Sequence, residues 1–401
     1  MRWITAIAIC LCAASAVAQN GGTVESRFGI GELNSLSTAR QRGMGGSGVA
    51  LQSEYDVSQA NPATWTGINQ LRLTTGMTFE HIALSKTSNG VSTGSIKGFQ
   101  FVLPLEETFR LRLSAGVLPY SRSEYSAIGT QSLGDEKYSV LYNGSGGLSL
   151  FRAGIAFAPI DRISIGAAYQ YYFGTLEQSW ELNFENSGYF SGSQRRSTNH
   201  SGSGFTFGLH YRGPEGISIG AAISPKVSLA ASRSMVFSYS TFDSTVSGAS
   251  GSQELPLEFR LGAGWQMNDE LLVAAEYSAQ DWTDAMVFDQ KQSQLGAAYT
   301  LGVGFEWQPF LRQVDARILS KTVFRFGVAM TQRYTSLEDD RDREFMFTTG
   351  TGFPIFGSSR ADLAISYGWR GSDTAPLGSQ QVVRVSLGVS VGESWFIRNR
   401  E

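Results

Sequence analysis

From about residue 70 to the end of the chain, apolar and polar positions alternate with period two, the pattern of a strand with one oily face and one small or polar face. In the last such stretch Val383, Val385, Leu387, Val389 and Val391 alternate with Arg384, Ser386, Gly388 and Ser390. The same holds for Ala361, Leu363, Ile365, Tyr367 and Trp369, and for Phe324, Phe326, Val328 and Met330. The pattern predicts fourteen segments, over roughly 70–85, 94–104, 109–121, 147–158, 161–184, 192–212, 216–240, 251–267, 270–283, 295–308, 321–333, 344–356, 360–370 and 380–392. Connections after even-numbered segments are mostly short, as at Leu105 to Thr108, Pro159-Ile160, Gly213-Pro214-Glu215, Asn268-Asp269 and Gly357 to Ser359. Those after odd-numbered segments are mostly longer and rich in Ser, Gly, Asn and Asp, as at 122–146, 241–250, 284–294, 334–343 and 371–379; an exception is 309–320, which is long for its class.

An even strand count with alternating short and long connections is what a membrane-spanning barrel needs. Lipid offers no hydrogen-bond partners, so a sheet that spans it must close and leave no edge. The expected fold class is all-β: a transmembrane antiparallel β-barrel of about 14 strands with an N-terminal plug segment. A soluble β-sandwich would also alternate, but the Gly, Ser, Thr, Arg and Glu of the second face would make a poor sandwich core. Tyr211, Trp265 and Trp307 fall at the short-turn ends, and Tyr169, Tyr171, Tyr277, Tyr367 and Trp369 nearer the long-loop ends, as two interfacial girdles would require.

Composition sharpens this picture. Of 401 residues 46 are Gly and only 17% are charged, with a formal net charge of -3 and no run of Lys or Arg, which argues against nucleic-acid binding. No apolar stretch reaches the 18 residues a membrane-spanning helix needs. Arg2 followed by Trp3 to Ala14 and by Ser15-Ala16-Val17-Ala18 reads as a signal peptide over residues 1–18. Both cysteines, Cys10 and Cys12, fall inside it, so the expected mature chain has no disulfide and no Cys-based site. The expected organisation is then 19–69 as plug or hatch, 70–393 as barrel and 394–401 as a short periplasmic tail.

Residues 19–69 do not alternate. They hold Arg27-Phe28-Gly29-Ile30-Gly31-Glu32, a helix-permitting piece around Ser35 to Arg42, then Gly43-Met44-Gly45-Gly46-Ser47-Gly48-Val49-Ala50, Asp56 and Asn61-Pro62-Ala63. Gly43, Gly45 and Gly46 invite a nucleotide-binding reading, but no preceding strand, P-loop Lys or βαβ pattern accompanies them. Together with Tyr142-Asn143-Gly144-Ser145-Gly146-Gly147-Leu148 and Leu255-Pro256-Leu257, these residues resemble the FadL-type (FadL/TodX-like) family of outer-membrane transporters for long-chain fatty acids and other hydrophobic compounds. The resemblance implies a fourteen-stranded barrel with an N-terminal hatch formed by the Gly43–Gly46 turn and Asn61, Pro62 and Ala63. Thr64-Trp65 stands where such transporters commonly have Gly. The opening Ser26 to Gly31 and the ending Trp395 to Arg400 look more like FadL-like proteins of the Bacteroidetes and related lineages, some of which serve secretion systems.

Fourteen strands with a Gly/Ser/Thr-rich lining should leave a wide lumen for the plug to fill. Inward positions are expected to carry Arg72, Arg110, Arg112, Arg152, Glu258, Arg260, Glu276, Glu306, Arg325, Asp362 and Arg384. Charges of both signs can latch the plug, or an Arg among them can hold a cargo carboxylate. Glu338 to Glu344 reads as a solvated external loop without Ca²⁺-site spacing. The three histidines, His81, His200 and His210, read as rim or lumen residues, so no catalytic role, metal or cofactor is implied. Pro119 cannot donate to a ladder and should mark a break in the wall beside the third strand, a candidate lateral gate. The leading expectation is passive uptake of a hydrophobic or amphipathic small molecule. The alternative is a structural adaptor barrel for a protein secretion system. Expected partners are outer-membrane lipid and lipopolysaccharide, a hydrophobic ligand, the barrel assembly machinery and a secretion-system component, with no nucleic acid.

Overall fold

The computed structural model describes residues 22–84, 90–133, 136–184, 191–239, 243–311, 319–337, 340–371 and 378–393. The expected signal peptide, 1–18, and tail, 394–401, lie outside the described residues. The strands form a closed antiparallel barrel. Its spans are β1 (Leu71–Leu84), β2 (Gly90–Glu106), β3 (Leu111–Pro119), β4 (Glu136–Ile160), β5 (Ile163–Phe184) and β6 (Gly192–Arg212). They continue as β7 (Ile217–Ser224 and Val227–Tyr239), β8 (Asp243–Leu255 and Glu258–Asn268), β9 (Leu271–Asp281) and β10 (Ala297–Trp307). The last four are β11 (Val323–Leu337), β12 (Asp340–Pro354), β13 (Arg360–Arg370) and β14 (Gln380–Glu393). Each span pairs with the next, and β14 closes on β1 from Glu393↔Leu71 to Gln380↔Leu84. The breaks in β7 and β8 fall at Pro225 and Pro256, where a ladder N–H is missing.

The alternation sorts the side chains as expected. Leu73, Phe207, Ile219, Leu261, Phe347 and Leu387 point out and are about half exposed to the surroundings, as lipid-facing groups should be. Trp265 and Trp307 mark the short-turn rim, and Tyr169, Tyr171, Tyr277, Tyr367 and Trp369 a second ring further along.

Three expectations are corrected. The stretches read as long loops at 122–146, 241–250 and 334–343 are largely strand: Tyr125–Leu133 pairs with the start of β4, and the β7–β8 and β11–β12 hairpins continue almost to their tips. Their Ser and Gly content hid a ladder that needs backbone groups only. As a result β4 has 25 residues, β5 22 and β6 21, about twice the 9–11 that a bilayer requires, so this part of the wall stands above the membrane. Arg110 is not in the lumen; it sits at positive φ in the turn before β3, near Asp161 of the next turn. The inward face is also not uniformly small and polar. Leu148, Leu150, Tyr172, Val227, Leu229 and Leu255 join Trp282, Tyr334 and Ile30 in a buried apolar cluster toward the long-hairpin side.

Candidate functional site: the lumen and the segment inside it

Residues 22–69 run inside the ring and are held by inward side chains of strands on all sides. A single helical turn, Ala39–Arg42, forms because Thr38 and Gln41 cap each other: the Gln41 N–H donates to Thr38 Oγ1 at 3.4 Å and the Thr38 N–H to Gln41 Oε1 at 3.2 Å. Arg40 leaves this turn to make a two-pronged contact with Glu306 of β10, at 2.9 and 3.1 Å. Glu306 also receives Arg325 at 2.7 Å, and Arg325 reaches Asp362 at 2.7 Å, so three predicted lumen charges form one chain across β10, β11 and β13.

The glycine run follows. Gly45 has φ +68° and a Cβ there would lie 2.3 Å from the Val328 carbonyl oxygen, so only glycine allows this turn to press against the wall. The wall answers with Gly304, where a Cβ would meet Met44 at 2.6 Å. Thr348 bridges the turn, its Oγ1 accepting from Gly45 N at 3.0 Å and donating to Gly43 O at 3.2 Å. The backbone N–H groups of Gly48 and Val49 both donate to Glu276 Oε2 at 2.8 Å, while Arg260 donates to Glu276 Oε1 at 3.2 Å and to Glu258 at 2.9 Å.

Asn61 is fully buried. Its Nδ2 donates to Val49 O at 2.7 Å and Leu209 O at 3.1 Å, and its Oδ1 accepts from Ala63 N at 3.0 Å, capping the 3-10 turn Pro62–Gly67. Three further wall groups reach the segment's carbonyls: Arg152 at Gln59, Arg112 at Ile68 (2.5 Å) and His210 at Ala50 (3.0 Å). Arg72 donates instead to Ser358 O, in the β12–β13 turn, at 2.7 Å. His200 is buried on the same strand as His210, and His81 contacts Ser92 at 2.8 Å, so the three histidines do not converge.

Charged groups outside the sequence expectation complete the network. Glu344, expected in a solvated loop, is instead buried and receives Arg370 at 2.7 Å and Arg384 at 2.5 Å; Arg384 also bonds Glu80. Glu32 of the inner segment accepts from Arg333. The only legible signal for Glu80, Glu344 and Arg370 was their parity with Arg384 on neighbouring strands.

A cavity of about 280 Å³ remains, lined among others by Arg42, Glu80, Lys97, Arg122, Arg260 and Glu344. Its acids are engaged, but Arg42 and Lys97 have no carboxylate partner among the described residues. Burial and the nearby Arg384 push the Arg42 guanidinium down to about 10.

The cavity borders a defect in the wall. The β2–β3 ladder stops at Phe99↔Val117, just past Gly98, whose φ is +73°. Beyond Pro119 the chain turns inward, where Ser121–Arg122 pairs with Glu32–Leu33 of the inner segment, before rising again along β4. Gly90–Ile96 of β2 therefore pair with β1 alone among the described residues. The Arg122 side chain reaches from the inner pairing to Thr93 of β2.

Fourteen paired spans, an apolar outer belt and a polar interior holding the chain's own N-terminal segment define an outer-membrane β-barrel. The chain belongs to the BamG family, whose model matches residues 1–400. Its fold is that of solved outer-membrane channels. A Pseudomonas aeruginosa FadL homologue matches with a TM-score of 0.62 at 15% identity, covering 90% of this chain and 99% of that one. The CymD monoaromatic hydrocarbon channel matches at 0.60 and 14%, covering 91% and 98%. The toluene transporter TbuX of Ralstonia pickettii matches at 0.59 and 16%, covering 90% and 99%. No curated protein matches the chain.

Proposed function

We propose that the mature protein is an outer-membrane channel for passive uptake of hydrophobic or amphipathic small molecules, closed along its axis by residues 19–69 as a plug. The observation that carries this reading is the upper half of β2, paired with β1 but not with β3 among the described residues, which leaves a side opening between β2 and β3 beside the cavity. A barrel wall normally satisfies every backbone group within the bilayer, so an interrupted ladder that borders a cavity suits a molecule passing between lumen and lipid. Arg42 and Lys97 favour a cargo with an anionic head, such as a long-chain fatty acid, whose tail leaves through the wall.

Thr93→Cys with Arg122→Cys, joined by a short bismaleimide, spans the opening. Uptake of a fluorescent fatty acid into cells is expected to fall severalfold on cross-linking, with surface level unchanged. Uptake that is indifferent to the cross-link overturns the lateral route.

The family name favours a second reading, a non-conducting role in barrel assembly, and the strands that stand above the membrane offer a partner surface of the right kind for such an adaptor. Native mass spectrometry of the detergent-extracted protein separates the two: a co-purifying lipid-like ligand supports uptake, a stoichiometric protein partner supports assembly.

A further inference from the structure

Above the apolar cluster, the inward face of β6 continues through His200, Thr198 and Arg196, and that of β7 through Ala231, Arg233 and Met235, with Thr198 opposite Arg233 and Arg196 opposite Met235. Arg196 and Arg233 thus sit diagonally on one surface, and neither pairs with a carboxylate among the described residues. The charged neighbour acting on Arg233 is Arg196 itself. Each guanidinium is instead laid on an aromatic ring, Arg196 over Trp180 at 4.8 Å and Arg233 over Phe288 at 3.6 Å.

Two features oppose an accidental cluster. Phe288 and Asp289 form the tip of a two-residue hairpin turn at φ +51° and +61°, a conformation that a bulky aromatic side chain resists, and this strained turn holds the ring against Arg233. Arg196 Nε and His200 Nδ1 are both buried with no hydrogen-bond partner among the described residues. Unsatisfied buried polar groups destabilise a fold, so their retention on the face that carries two unpaired like charges points to a group that is absent from the free protein.

We infer that this face is a binding site for a phosphate group. A ring against each guanidinium takes up no N–H donor, so these donors stay available for an oxyanion, which a guanidinium can bind bidentately. Two positive charges match a phosphate dianion, whereas a carboxylate would neutralise only one. The Arg233 Nε–Thr198 Oγ1 contact, 3.5 Å, is long enough to be exchanged for a ligand oxygen. The inference is independent of the transport reading, because the site lies on the outer side of the apolar cluster and shares no residue with the wall opening.

The test uses the full protein in detergent, titrated calorimetrically with glucose 6-phosphate, and in nanodiscs with and without bisphosphorylated lipid A. Binding of either probe is expected, and it should weaken at least tenfold in the Arg196→Gln, Arg233→Gln double variant. Arg195→Gln, on the opposite face, should bind as wild type. Phe288→Ala keeps every charge and should weaken binding severalfold, which preserves the test if the double variant misfolds on a heat-modifiability gel. Binding of the sugar phosphate alone identifies a soluble phosphate ester as ligand, and binding of lipid A alone identifies a lipid headgroup. Failure of both probes to bind, or equal affinity in all variants, overturns the site.

Discussion

Glu276 Oε2 holds the backbone of Gly48 at 2.8 Å, and the same oxygen takes the N–H of Val49. One carboxylate therefore satisfies two successive backbone donors inside the barrel. Glu276→Ala should destabilise the protein by about 1–3 kcal/mol through those orphaned donors. Urea unfolding in detergent measures the change, and limited proteolysis should show new cleavage within residues 22–69. A variant as stable and as protected as wild type would mean that the carboxylate does not hold the segment.

Closure of the lumen is tested by removal. A chain lacking residues 19–59 should still form a heat-modifiable barrel and show a larger single-channel conductance in planar bilayers. The apolar cluster would then lack Ile30, Phe28 and Leu33 of the segment, and the Arg40–Glu306 latch would be gone. Equal conductance would place the barrier in the wall's own side chains.

The outward face can be tested at one position. Leu387 lies on β14 opposite Leu363 of β13 and Met77 of β1, about half exposed to what surrounds the barrel. Leu387→Arg should destabilise the barrel by about 2–4 kcal/mol, the penalty of a cation near the bilayer midplane. Urea unfolding in liposomes gives the value, and no change would mean that this face does not meet lipid.

Asp56, within the inner segment, supplies a pH dependence. Burial raises its carboxyl above the ordinary value, the effect of Arg40 notwithstanding. The folded state then binds this proton more tightly than the unfolded state, so its contribution is most favourable below the unfolded value of about 3.9 and is lost as pH rises through the raised folded value. Asp56→Asn should flatten the unfolding midpoint over that range and lift it slightly at neutral pH. Superimposable profiles for the two proteins would refute this.

The strand count, the facing of the side chains and the aromatic belts were legible because lipid and lumen impose a strict period of two on every span. Glu276 and Glu306 could be singled out for the same reason, as charged positions of inward parity, whereas Gly45 and Asn61, in a segment that does not alternate, stood out through the resemblance of the N-terminal run. What escaped the sequence was long-range. Nothing local to Glu344 or Glu80 tells that β12, β1 and β14 bring them around Arg384, and the hairpin from Tyr125 to Gly144 is built by backbone bonds that any Ser/Gly-rich stretch can make. Arg110 failed for a different reason, since strand parity carries no information once the chain enters a turn.

Glu32 meets Arg333 and Ile30 meets Tyr334 across 301 and 304 positions of sequence. Contacts between such distant parts of a chain are slow to form, because the whole intervening loop must be ordered first. The head of the polypeptide therefore waits for its tail. Until β11 to β14 are inserted, residues 22–69 lack their contacts to Arg333, Tyr334 and Thr348 and stay more open to proteases, so a barrel stalled in biogenesis differs chemically from a finished one at its own N-terminus. Occupancy of the bore thus works as a completion mark, set only when the final hairpins arrive.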